Sequence, residues 1–99
     1  MEYKYKIFQV NSKERWIYIK SNDELDHEEP DAFVYLVKKI QSDTGGTIEK
    51  VGDGRYILKN NDPRFVYQWD DLFGIVVIYP EHLSEDEAKI FLSKYMSEF

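Results

Sequence analysis

The stretch LFGIVVIY at residues 72–79 is the longest unbroken apolar run in this chain and the strongest constraint on its fold. It is far shorter than the roughly 20 apolar residues a membrane-crossing helix needs. It is rich in β-branched residues and stops at Pro80. Such a run reads as a central strand covered on both faces, since a half-exposed strand would alternate apolar with polar residues. RFVYQW at 64–69 precedes it across Asp70-Asp71, which predicts a strand pairing.

Further strands follow from the same logic. YKYKIFQV (3–10) and RWIYIK (15–20) bracket a polar NSKE turn and read as a hairpin. Pairing Ile7 with Ile17 and Tyr5 with Ile19 collects Tyr3, Tyr5, Ile7, Ile17 and Ile19 on one face. The other face then carries Lys4, Lys6, Phe8, Trp16, Tyr18 and Lys20. A register shift of one residue would mix lysine into both faces, so burial selects the apolar face. The implied turn lacks the glycine its left-handed position favours. TIEKV and RYILKN flank Gly52-Asp53-Gly54 and predict a second hairpin over 47–60.

Two segments change period from 2 to 3.6. In DAFVYLVKKIQSDTGG, Phe33, Leu36, Val37 and Ile40 form one stripe; Pro30 suits the first helical position and Gly45 a left-handed stop. Lys38 and Lys39 lie toward its carboxyl end, where cations favour the helix dipole. Near the carboxyl end, Ser84-x-x-Glu87 is a capping box and Leu83 can staple against Ala88. Ala88, Phe91, Leu92, Tyr95 and Phe99 make the buried stripe of that helix. The predicted class is α+β: an antiparallel sheet of five to six strands with two helices packed on one face, in the order ββαββ(β)βα. At 99 residues the chain is expected to form a single domain spanning 1–99.

Composition narrows the chemistry. The chain has no cysteine, so disulfides, thiolate nucleophiles and cysteine zinc sites are excluded. MEYKYKIF carries no hydrophobic signal run, and a cytoplasmic location is the expectation. The net charge of −6 is unevenly spread: residues 1–20 carry +3 and residues 21–31 carry −6.

The acidic segment comprises Asp23, Glu24, Asp26, Glu28, Glu29 and Asp31, with His27 among them. An EF-hand loop fails on spacing, because Leu25 takes the third position from Asp23 and His27 the sixth from Asn22. A zincin helix fails because Asp31 stands where a second histidine belongs, so no metal site is assigned. Carboxylates at a helix entry stabilise it by roughly 0.3–1 kcal/mol each. The same acids can dock a basic protein by long-range attraction.

The hairpin face of Lys4, Lys6, Phe8, Trp16, Tyr18 and Lys20, with Arg15, offers an alternative. Lysines that follow phosphates and aromatics that stack on bases are the elements of single-stranded nucleic-acid binding. Packing under the rest of the chain is the plainer explanation of those rings, and the acidic balance opposes phosphate binding. Trp16 and Tyr18 would equally suit a protein interface. Catalytic patterns are sparse: Gly45-Gly46 and Gly52-Asp53-Gly54 are turns, Asp70 and Asp71 diverge in an extended chain, and His82 is a lone loop histidine. The expectation is a small, non-catalytic protein-interaction or regulatory module without cofactor, whose acidic surface docks a basic protein. The alternatives are nucleic-acid binding by the hairpin, or a small carboxylate- or His82-dependent enzyme. A monomer and a homodimer fit equally.

Overall fold

The alternation of period two and the two helical stripes are realised as an α+β arrangement, an antiparallel sheet with two helices. The computed structural model describes residues 3–22, 31–52, 55–59, 65–70 and 74–97. The elements are β1 (Tyr5–Asn11), β2 (Trp16–Ser21), α1 (Asp31–Thr44), β3 (Thr47–Gly52), β4 (Arg55–Lys59), β5 (Val66–Asp70), β6 (Gly74–Ile78) and α2 (Glu85–Ser93). Hydrogen-bonded neighbours follow the order β1-β2-β6-β5-β4-β3. Following β2, the segment containing α1 leads to the far edge at β3; four consecutive strands then return until β6 pairs with β2.

One sheet face is built by Ile17 and Ile19 of β2, Tyr67 of β5, and Ile75 and Val77 of β6. Both helices bury their stripes in the same cluster: Ala32, Phe33, Leu36, Val37 and Ile40 from α1, Ala88 and Leu92 from α2. Phe65, Tyr79 and Tyr95 complete it, and Tyr5 ties the edge strand to the first turn of α1 by donating its hydroxyl to the Ala32 carbonyl at 2.6 Å.

Two expectations need correction and one is met in an unexpected way. First, the hairpin register runs Tyr5↔Ser21, Lys6↔Lys20 and Ile7↔Ile19, two residues from the expected pairing. A shift of two preserves the side-chain period, so the face assignment survives. The register then shifts between Ile7 and Gln9, a bulge that brings Val10 opposite Ile17 and packs it against the core. Arg15 takes the left-handed position at φ 58° in the absence of glycine, and its carbonyl accepts from the Tyr79 amide at 3.0 Å.

The expectation for β6 is met: it is central, and Ile75, Val76 and Val77 are all buried, so both of its faces are covered, although no described helix lies on the second. Val76 is flanked there by its register partners Tyr18 and Gln68. Val76 and Tyr18 are buried yet stand apart from the main cluster. The second correction is that α2 ends at Ser93, before Tyr95. The Tyr95 and Met96 amides bond back three residues, to Leu92 and Ser93, and the Ser97 amide donates to the Tyr5 carbonyl at 2.6 Å. That bond to β1 draws the chain off the helical path, and Tyr95 is buried from the turn that follows.

Local signals place the rest. The Ser84 capping box is formed in both directions, with bonds of 3.1 and 3.0 Å to and from Glu87. Gly45 at φ 85° ends α1, its amide donating to the Gln41 carbonyl at 2.8 Å. Pro30, Asp53, Gly54, Asp71 and Phe99 lie outside the described residues.

Candidate aromatic interface

The sheet face opposite the helices is where the sequence placed its basic and aromatic residues. Register sets two rows across it, the first wholly apolar and the second ending in a glutamine. Trp16 lies opposite Ile78, which lies opposite Val66; Tyr18 lies opposite Val76, which lies opposite Gln68. Phe8 sits at the bulge beside Tyr18, with ring centroids 6.0 Å apart, and Trp16 meets Tyr18 edge-on at 6.2 Å. Tyr18 is only 5 % exposed and serves as the packing base of this trio, whereas Phe8 is 49 % exposed and Trp16 half-buried. An apolar centre bounded by Gln9, Asn11, Lys20 and Gln68 has the layout of an interaction surface.

The lysines gather at one end of this face. Lys6 is directly opposite Lys20, and both make contacts of their own. Lys4 extends the hairpin: its amide donates to the Asn22 Oδ1 and its carbonyl accepts from the Asn22 amide, each at 3.0 Å. Lys4, Lys6, Phe8, Trp16, Tyr18 and Lys20 therefore come together as the pattern predicted, with Tyr18 buried rather than presented.

At the other end of the hairpin the turn is held to α2. Ser12 donates its hydroxyl to Glu85, Lys89 pairs with Glu85 at 3.0 Å, and Arg15 reaches Glu81 at 3.5 Å. The Ser12 bond and Lys89 hold the Glu85 carboxyl below its usual range. These contacts fix the hairpin turn against the fold.

Of the acidic candidates, Asp31 is exposed in the first turn of α1; Asp23, Glu24, Asp26, Glu28 and Glu29 lie outside the described residues. Asp70 is half-buried at the end of β5, and His82 is exposed in the turn before α2. Among the described residues no three His, Asp or Glu side chains form a group able to hold a metal ion. No described helix is long and apolar enough to cross a membrane.

Sequence reasoning missed the buried hydroxyls. Tyr67 and Tyr95 both bury their OH groups without a hydrogen-bond partner among the described residues. Burial raises the Tyr67 pKa, with Tyr95 adding to it. Burial also pushes the Tyr95 pKa up to about 12, and the neighbouring Asp43 carboxylate adds to the rise, although the pair falls short of hydrogen-bond geometry. No periodic signal marks such a convergence, because Asp43, Tyr67 and Tyr95 come from three distant segments. No protein-family model, curated protein or solved structure matches this chain.

Proposed function

We propose that this chain is a non-catalytic interaction module that binds a basic partner protein. Its platform is the antiparallel sheet, which carries both helices on one face and, among the described residues, no helix on the aromatic face. The observation that supports this reading is the apolar centre of Phe8, Trp16, Val66 and Ile78 on the face that no described helix covers. Aromatic side chains at the centre of a surface supply most of the energy of protein association. The acidic segment Asp23–Asp31 and the net charge of −6 supply the long-range attraction that selects a basic protein.

The test is capture at low and high salt, with and without nuclease, by the native chain and two variants. One variant carries Phe8→Ser with Trp16→Ser. The other has Asp23, Glu24, Asp26, Glu28, Glu29 and Asp31 changed to the corresponding amides. The expected result is one basic protein held by the native chain at low salt, released at high salt, and lost in both variants. Capture that survives the aromatic double substitution removes the support for this surface. Nuclease-sensitive capture, lost on changing Lys4, Lys6 and Lys20, would transfer the reading to single-stranded nucleic acid.

A further inference from the structure

A second surface lies away from the aromatic face, where three segments distant in sequence meet. Tyr3 precedes β1 and Tyr5 opens it, Tyr35 and Lys39 come from α1, and Lys94, Tyr95 and Ser97 follow α2; together they line a cleft of about 440 Å³. That is within the range of small-ligand sites, roughly 300–1,000 Å³. Among the described residues no acidic side chain lines this cleft. Lys39 and Lys94 both line it, and among the described residues neither has a carboxylate partner. Lys94 Nζ instead lies 5.2 and 5.4 Å from the ring centroids of Phe91 and Tyr95. Asp43, whose carboxylate acts on the Tyr95 hydroxyl, is not among the lining residues.

We infer that this cleft binds a small organic phosphate. Two ammonium groups that form no ion pair among the described residues match a dianion, and lysine recognises phosphate as a compact point charge. Ser97 and the half-exposed Tyr35 add hydroxyl donors at the same opening. The Tyr5 hydroxyl is committed to the Ala32 carbonyl and the Tyr95 hydroxyl is buried, so those residues contribute ring walls. Tyr3 and Tyr35 pack at 5.4 Å with a 56° tilt and form an aromatic wall for the organic part of the ligand. The two positive charges are held by well-packed elements: Lys39 follows the buried Leu36 and Val37, and Lys94 lies between the buried Leu92 and Tyr95.

The experiment titrates the full chain with phenyl phosphate, inorganic phosphate and phenol, each against sodium chloride at matched ionic strength, following amide signals by NMR. The expected result is a saturable response centred on Tyr35, Lys39, Lys94 and Ser97, strongest for phenyl phosphate and absent for phenol. Lys39→Gln and Lys94→Gln, both at exposed positions, each weaken binding about tenfold; Lys39→Gln leaves the urea midpoint in place, and Lys94→Gln lowers it only slightly through the lost ring contacts. Tyr35→Ala brings phenyl phosphate down to the affinity of inorganic phosphate. A response reproduced by sodium chloride, or spread over all lysines, overturns the assignment, as does one indifferent to Lys39→Gln and Lys94→Gln. Neither substitution touches Phe8 or Trp16, so this result is independent of the aromatic surface.

Discussion

Val76 and Val77 offer a direct test of whether one face of the sheet is open. They are adjacent in β6, 1 % and 0 % exposed, and point to opposite faces. Val→Ala removes two methyl groups at either site, a transfer loss of about 1.6 kcal/mol at ~0.8 kcal/mol per group. Val77 belongs to the cluster enclosed by both helices, so its removal also leaves a cavity. A void of roughly 50 Å³ adds about 1.2 kcal/mol at ~24 cal/mol per Å³. Val76 is covered by sheet neighbours such as Tyr18 and Gln68, whose side chains can settle over the gap. The expected losses are therefore about 3 kcal/mol for Val77→Ala and about 1.6 kcal/mol or less for Val76→Ala. Urea unfolding of the two variants beside the native chain, with m-values compared, measures both. In thermal unfolding the gap corresponds to roughly 5–10 °C in Tm for a chain of this size. Equal losses would mean that both faces are equally enclosed, and the aromatic face would lose its standing as a docking surface.

Three other outcomes follow from named contacts. Gly45→Ala is expected to cost about 1–2 kcal/mol in urea unfolding; nothing lies within 4 Å of an added Cβ, so the loss is purely the left-handed φ of 85°. Tyr67→Phe is expected to be neutral or stabilising by up to about 1–3 kcal/mol, because it removes a buried hydroxyl without a protein partner; a clear destabilisation would show that the hydroxyl is bonded. Because the folded-state pKa of Glu85 is lowered, its stabilising contribution is present above its unfolded pKa and disappears as pH falls through the folded value. Glu85→Gln should therefore flatten the acid limb of stability against pH, whereas an unchanged acid limb would refute the role given to Ser12 and Lys89.

Short-range pattern determined much of this protein. The capping box at Ser84, the stop at Gly45 and the stripe Phe33, Leu36, Val37, Ile40 need only residues within a turn or two of one another. The division of the first hairpin into an apolar face and a basic-aromatic face also held, because a register error of two leaves a period of two unchanged. What required the tertiary structure was long-range contact. The pairing of β6 with β2 and the end of α2 set by Ser97 bonding to Tyr5 both join residues far apart in sequence. The same holds for both surfaces: Val66 and Ile78 reach the aromatic face only through strand order, and Lys39 and Lys94 share a cleft only because α1 and α2 pack beside β1. Local periodicity states which side of an element is buried; which elements meet is decided by how the whole chain buries those sides together.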